Sequence, residues 1–120
     1  MELGALILFA NRLSETVSFD QAVGIPLEEE DHEDGPEYFA CELGSVHFAV
    51  FEGSAGAAPP FRVAGGVMPG LATPSLQRVL ETVQALGATV IEPPTEYPWG
   101  PRMLVEDPDG RTVGIFERKS

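Results

Sequence analysis

The feature that most constrains this chain is a repeated spacing of its punctuation. Ala5 lies 19 residues before Gly24, and Met68 lies 19 residues before Gly87. Each glycine stands where a helical stretch should stop, and each of the two earlier residues sits in a strand-like stretch. Read along its length, the order of apolar runs and breakers is βαβββ, linker, βαβββ, with the first unit at 1–52, the linker at 53–60 and the second unit at 61–120. An internal duplication fixes architecture before any single element does. The alternative is a coincidence between two unrelated α+β halves.

The elements follow from local chemistry. Residues 3–10, with Leu6, Ile7, Leu8 and Phe9 at their centre, read as a short strand buried on both sides. Ser14 is placed to cap a helix running to about Val23, and Gly24 ends it. Leu13, Val17, Phe19 and Val23 do not make one clean stripe, so the helical pattern is weak. Residues 28–34 form an acidic run that includes His32. It reads as a solvated face, and it would discourage an edge strand from pairing with a stranger. Neighbouring carboxylates favour the protonated form of His32 and leave it no site role. Tyr38–Leu43 and Val46–Glu52 are two further strands, joined by Gly44 and Ser45.

The sequence GSAGAAPP at 53–60 lacks bulk and periodicity and reads as the linker. Residues 63–71 are strand-like, though interrupted by Gly65, Gly66, Pro69 and Gly70. Thr73-Pro74-Ser75 is a helix start, with Thr73 as N-cap and Pro74 in the first turn. Leu76, Val79, Leu80, Val83 and Leu86 then recur at helical spacing, and Gly87 stops the helix. Residues 88–92 form a strand that Pro93 and Pro94 break. Residues 97–118 form a closing hairpin around Asp107-Pro108-Asp109-Gly110, in which proline presets φ, aspartate can bond nearby backbone and glycine takes a positive φ.

Composition narrows the function. At 120 residues and 43% hydrophobic, the chain is one globular domain with a real core. A formal net charge of −12, from 19 acidic and 7 basic residues, argues against a nucleic-acid or anionic-membrane partner, because polyphosphate binding needs clustered Lys and Arg. A single cysteine, Cys41, excludes an internal disulfide and suits a reducing compartment. The run 3–10 is too short to span a bilayer, and Glu2 stands where a signal peptide would be basic. The expected location is cytoplasmic.

The arrangement resembles the vicinal oxygen chelate superfamily, which includes glyoxalase I, bleomycin-resistance proteins and extradiol dioxygenases. The resemblance rests on Trp99-Gly100, on Asp107-Pro108-Asp109-Gly110 followed by a last strand, and on the helix end Leu86-Gly87-Ala88. The first half departs further, with Phe19 followed by Asp20 where the family often has Phe-Tyr. The resemblance implies an α+β fold in which two βαβββ units form curved sheets around a cup-shaped cavity, and it implies a homodimer. It also implies a divalent metal held by His, Gln or Glu from the first, fourth, fifth and eighth strands. Those positions fall on Ala5, on His47 or Ala49, on Met68 and on Gly114. An open metal site needs about three nitrogen or oxygen donors, and only His47 is one. The expectation is therefore no metal and no cofactor.

Strand alternation then predicts the lining of the cavity. Ala5, Ile7 and Phe9 face it from the first strand, His47, Ala49 and Phe51 from the fourth, and Thr112, Gly114 and Phe116 from the last. His47, Phe51, Met68, Trp99, Arg102 and Phe116 are the candidate ligand-binding residues. Trp99, Phe51 and Phe116 could equally be plain packing, and His47 a satisfied neutral histidine. Arg102 would meet a ligand carboxylate if turned inward and a surface acid if turned outward, with outward favoured. No catalytic residue is assigned. The preferred reading is a metal-free protein that binds a small cationic or aromatic molecule. The alternative is a glyoxalase-like lyase, isomerase or dioxygenase, with His47 as a lone general base.

Overall fold

A computed structural model describes residues 1–30, 37–53 and 64–118. The end of the acidic run with His32, the linker residues 54–60 and Val63 lie outside the described residues. The chain divides into two compact units, Met1–Gly56 and Ala57–Ser120.

The first unit contains β1 (Ala5–Ala10), α1 (Leu13–Val23), β2 (Glu28–Glu30), β3 (Tyr38–Leu43) and β4 (Val46–Glu52). Its sheet has the order β1-β4-β3-β2. β1 runs parallel to β4, with Ala5 opposite His47 and Phe9 opposite Phe51, and the other pairs are antiparallel. Phe48 and Val50 from β4 are buried together with Val17 and Phe19 from α1. Each such side chain contributes about 1.5–3 kcal/mol relative to exposure. β1 is not buried on both sides. Leu8 and Ala10 are buried, but Ile7 is 47% and Phe9 61% exposed. The unit has a single helix, and alternation sends every second residue of β1 to the opposite face. β2 consists of three exposed glutamates at the sheet edge, a form that resists edge pairing.

Ser14 does not cap α1. Arg12 holds the N-cap position and makes no side-chain capping bond. The weak stripe has a physical cause, because its covered face includes two polar residues, Thr16 and Asp20. The Thr16 hydroxyl is fully buried and has no hydrogen-bond partner among the described residues. The helix ends as expected at Gly24, with φ at 115°. Gly24 N–H donates to Gln21 C=O and Ile25 N–H to Asp20 C=O, which is a Schellman closure.

The second unit contains β5 (Gly70–Thr73), α2 (Leu76–Ala85), β6 (Val90–Tyr97), β7 (Gly100–Glu106) and β8 (Thr112–Glu117). Its sheet order, β5-β8-β7-β6, repeats the first with a parallel β5–β8 pair. Met103, Val105, Val113 and Ile115 are buried together with Leu76, Val79 and Val83 of α2. Leu86 is exposed, because it is the C-cap residue, beyond the last helical position at Ala85. Gly87 N–H donates to Gln84 C=O and Ala88 N–H to Val83 C=O, the same closure that ends α1.

Three boundaries differ from the sequence reading. β5 starts at Gly70, so among the described residues the stretch before it is not strand. The N-cap of α2 is Ser75, whose hydroxyl accepts from Arg78 N–H, and Thr73 instead bonds Ser75. Glu117 adds a carboxylate at this helix start by accepting from Leu76 N–H at 3.0 Å, which also suits the helix dipole. Finally, Pro93 and Pro94 do not break their strand. β6 runs through them with register shifts on either side of Glu92. Proline is tolerated there because β6 is the sheet edge and the shift leaves ladder positions unpaired.

The Asp107 turn is held by its own side chain. Asp107 Oδ1 accepts from Asp109 N–H and Arg111 N–H, and Oδ2 accepts from the Arg111 guanidinium at 2.7 Å. Asp107 is nearly fully buried. Replacing it leaves two backbone donors unpaired and removes the nearer carboxylate from Arg111, which keeps Asp109 at 3.8 Å. Asp107→Ala is expected to lower unfolding stability by about 2–4 kcal/mol in urea titration, with Asp107→Asn losing less. Thr16→Val, which swaps an unpaired buried hydroxyl for a methyl of similar size, is expected to raise the melting temperature or leave it unchanged. A fall would mean the hydroxyl has a partner.

Candidate functional site

In each unit the helix covers one side of the sheet, and the candidate residues lie on the other. On the first sheet they form rows across strands. Phe51 is the centre of one row. Its ring stacks on Tyr38 at 4.4 Å and 7° and meets Phe9 at 5.9 Å. His47 lies two rows away, opposite Ala5 on one side and Glu42 on the other. The row between holds Ile7, Ala49 and Ala40. His47 and Phe51 therefore share a face but not a contact row. His47 Nδ1 bonds Glu42 Oε1 at 2.7 Å with both side chains about half exposed or more. Accepting from Nδ1 puts the ring proton there and leaves Nε2 as the basic nitrogen.

The second sheet gathers Met68, Trp99, Arg102 and Phe116 into one cluster. Trp99 is not simply the lead-in to a strand. It lies in the two-residue turn between β6 and β7, where Tyr97 pairs with Gly100 and Gly100 takes φ 127°. Tyr97 and Trp99 stack at 4.9 Å and 3°, and Trp99 meets Phe116 at 5.5 Å. Phe116 lies against bare backbone. A Cβ on Gly70 would stand 2.9 Å from its ring, and one on Gly114 would stand 3.2 Å from that ring and 3.3 Å from the Met68 methyl. The two glycines, paired across β5 and β8, make room for the aromatic ring and the thioether.

Arg102 faces this cluster, contrary to the outward direction expected from sequence. It pairs with Phe116 in the β7–β8 ladder and so shares its face. Its side chain is 16% exposed. Nε and Nη2 donate to Glu92 Oε1, and Nη2 also reaches Glu92 Oε2 at 3.0 Å and Tyr97 OH at 2.9 Å. Tyr97 OH donates in turn to Glu92 Oε1 at 3.0 Å. The guanidinium lies 4.6 Å from the Tyr97 ring centroid and 5.9 Å from that of Trp99, within cation–π range.

Glu92 and Tyr97 escaped the sequence reading. Tyr97 could have been found, since a two-residue turn at Pro98 and Trp99 pairs it with Gly100, which shares a face with Arg102. Glu92 could not. The three steps from Glu92 to Thr95 oppose two from Leu104 to Arg102, so the bulge reverses the parity between Glu92 and Tyr97. Nothing local announces that shift.

The divalent ion implied by the resemblance does not fit. Gly53 N–H donates to Ala10 C=O in the first unit, as Arg118 N–H does to Thr73 C=O in the second. Counted back from these matching bonds, Ala5 corresponds to Met68 and Ala49 to Gly114. The four positions then offer two methyls, a thioether and a hydrogen, and none is a donor for a hard divalent ion. His47, the alternative on the fourth strand, adds a single imidazole already bonded to Glu42. No group of three or more His, Cys, Asp and Glu residues able to hold an ion occurs among the described residues.

A family model for the glyoxalase/bleomycin resistance protein/dioxygenase superfamily matches residues 3–115. The chain belongs to that superfamily. Among solved structures it resembles TnmS3, an antibiotic binding protein from Streptomyces sp. CB03234, at 16% identity and a TM-score of 0.71, covering 99% of this chain and 97% of that one. It resembles TioX from Micromonospora sp. ML1 at 19% identity and a TM-score of 0.71, with 98% of each chain covered. It also resembles a lactoylglutathione lyase from Agrobacterium tumefaciens at 18% identity and a TM-score of 0.66, covering 97% and 92%. At such identities the likeness is one of fold. No curated protein sequence matches the chain. No described helix is long and apolar enough to cross a membrane.

Cys41 is not an activated nucleophile. Burial pushes its thiol pKa up, and the negative charges of Glu42, Asp20 and Glu28 push it further the same way. At neutral pH the reactive thiolate is therefore scarcer than in an ordinary cysteine. Iodoacetamide should modify native Cys41 more slowly than the urea-unfolded chain at pH 7.5, with the gap narrowing as pH rises. Faster modification of the native form would contradict this.

Proposed function

We propose that the chain is a metal-free small-molecule binding protein of its superfamily. The ligand is a flat aromatic or cationic molecule held against the helix-free face of the second sheet. Trp99, Phe116 and Met68 supply the apolar contact, and Tyr97, Arg102 and Glu92 supply the polar edge. The observation that carries this reading is the meeting of an exposed stacked indole with a half-buried, hydrogen-bonded polar triad of Glu92, Tyr97 and Arg102. Sites for small ligands have this composition, mostly apolar and aromatic with a few fixed polar groups. The net charge of −12 supports a cationic ligand, since a negative surface steers cations inward. The antibiotic-binding function stated for TnmS3 supports a binder over a catalyst. On the first sheet, taken by itself, His47 and Phe51 are proposed as ligand-binding residues. The protein is proposed to act as a cytoplasmic homodimer, with neither nucleic acid nor membrane as a partner.

A second reading has one observation in its favour. The Glu42–His47 pair orients an imidazole with Nε2 as its basic nitrogen, the arrangement a general base requires. A lyase or isomerase of the superfamily would use it so. Both side chains are substantially exposed, so water screens the pair and holds it weakly in place.

Trp99 is the only tryptophan, so its fluorescence reports on this site alone. Titration with cationic glycopeptides and aromatic metabolites should produce saturable quenching by at least one class. Phe116→Ala should weaken that binding by about tenfold, the scale of one lost aromatic contact. No saturable response to any of them would remove the reading.

A further inference from the structure

The second-sheet cluster holds the makings of an anion site, a mostly buried arginine beside stacked rings, yet the Nε–Nη2 edge of its guanidinium is already taken. Glu92 takes both Nε and Nη2 of Arg102, in the two-point geometry with which a guanidinium would otherwise bind a ligand carboxylate or phosphate. Tyr97 closes the triad by accepting from Arg102 and donating to Glu92. The two charged side chains are only 16% and 25% exposed, so water screens them weakly. An incoming anion would have to displace an internal carboxylate held by four contacts, or sit beside that carboxylate and be repelled. A neutral or cationic ring meets neither obstacle and finds the outer face of Trp99, which is 59% exposed.

Resting on the binding function proposed above, we infer that Glu92 is a specificity-determining residue: as the internal counter-ion of Arg102, it restricts this site to planar aromatic ligands without negative charge. Position makes Glu92 suited to this. It reaches the ligand face only through the irregular register of β6 around Pro93 and Pro94, and Thr95 Oγ1 satisfies the Pro93 carbonyl within that irregularity at 2.7 Å. The neutralising carboxylate is thus a built part of the face, supplied by a strand that would otherwise turn it away.

The test uses three probes with one ring system and different charge: 2-naphthylmethanol, 2-naphthylmethylammonium and 2-naphthoate. Binding to the full chain is measured by calorimetry at low salt. The wild-type protein should bind the alcohol and the ammonium and bind naphthoate at least about tenfold more weakly. Glu92→Gln frees the guanidinium and should raise the affinity for naphthoate relative to that for the alcohol by about tenfold or more. Arg102→Gln leaves Glu92 without its counter-ion and should favour the ammonium instead. Equal wild-type affinity for all three probes would overturn the charge rule and leave the binding function standing. So would a folded Glu92→Gln protein that gains nothing for naphthoate. Failure of the wild type to bind any of the three would overturn the binding function itself. The wild-type ranking decides the matter even where a variant does not fold.

Discussion

Strand alternation under a single helix organises each unit. α1 and α2 each lie across one side of a four-stranded sheet, so the central strands give alternate residues to the helix side and the rest to the helix-free side, where Ala49, Leu104 and Gly114 are also buried. β8 shows the division plainly. Val113 and Ile115 are buried against the helix side, while Gly114 and Phe116 belong to the other. The stability of the unit and the chemistry of its helix-free face are written into the same six residues. A shift of one residue in pairing would exchange them. This is why the Asp107 turn matters beyond its own energy, since it fixes the register of β7 on β8 and with it the direction in which Arg102 and Phe116 point.

Much of the fold was legible because local chemistry decided it. Both helix-ending glycines, the strands Tyr38–Leu43 and Val46–Glu52, and the Asp107 turn depend on residues a few positions apart, and they stand where the sequence put them. The repeat was legible for the same reason. Errors arose where a tertiary partner overrode a local signal. Ser14 resembles a cap but lies inside α1. The prolines of β6 look like breakers but occupy the irregular part of an edge strand. Arg102 looked like a surface residue in an acidic chain, because its partner Glu92 is ten residues away and reaches it only through the shifted register. Trp99, Phe116 and Met68 could be proposed from parity alone, whereas the polar triad that completes their site could not.

The superfamily is defined by a fold that serves both chelation and simple binding, and the difference lies in very few side chains. In this chain the positions that would carry donors hold Ala5, Ala49, Met68 and Gly114. These small or soft groups have a positive role in the second unit. Gly70 and Gly114 leave room for Phe116, and Gly114 also leaves room for the Met68 methyl. A Cβ at position 114 would stand 3.2 Å from the Phe116 ring and 3.3 Å from the Met68 methyl, so a histidine or glutamate there would require both side chains to give way.

The most direct measurement of that claim is metal content. Protein purified without chelator, then equilibrated with zinc, nickel, manganese or ferrous ions and desalted, is assayed by plasma emission spectrometry. The account predicts no stoichiometric retention of any of them, and no shift in melting temperature when a chelator is added. One ion retained per chain, lost when His47 is replaced, would contradict it.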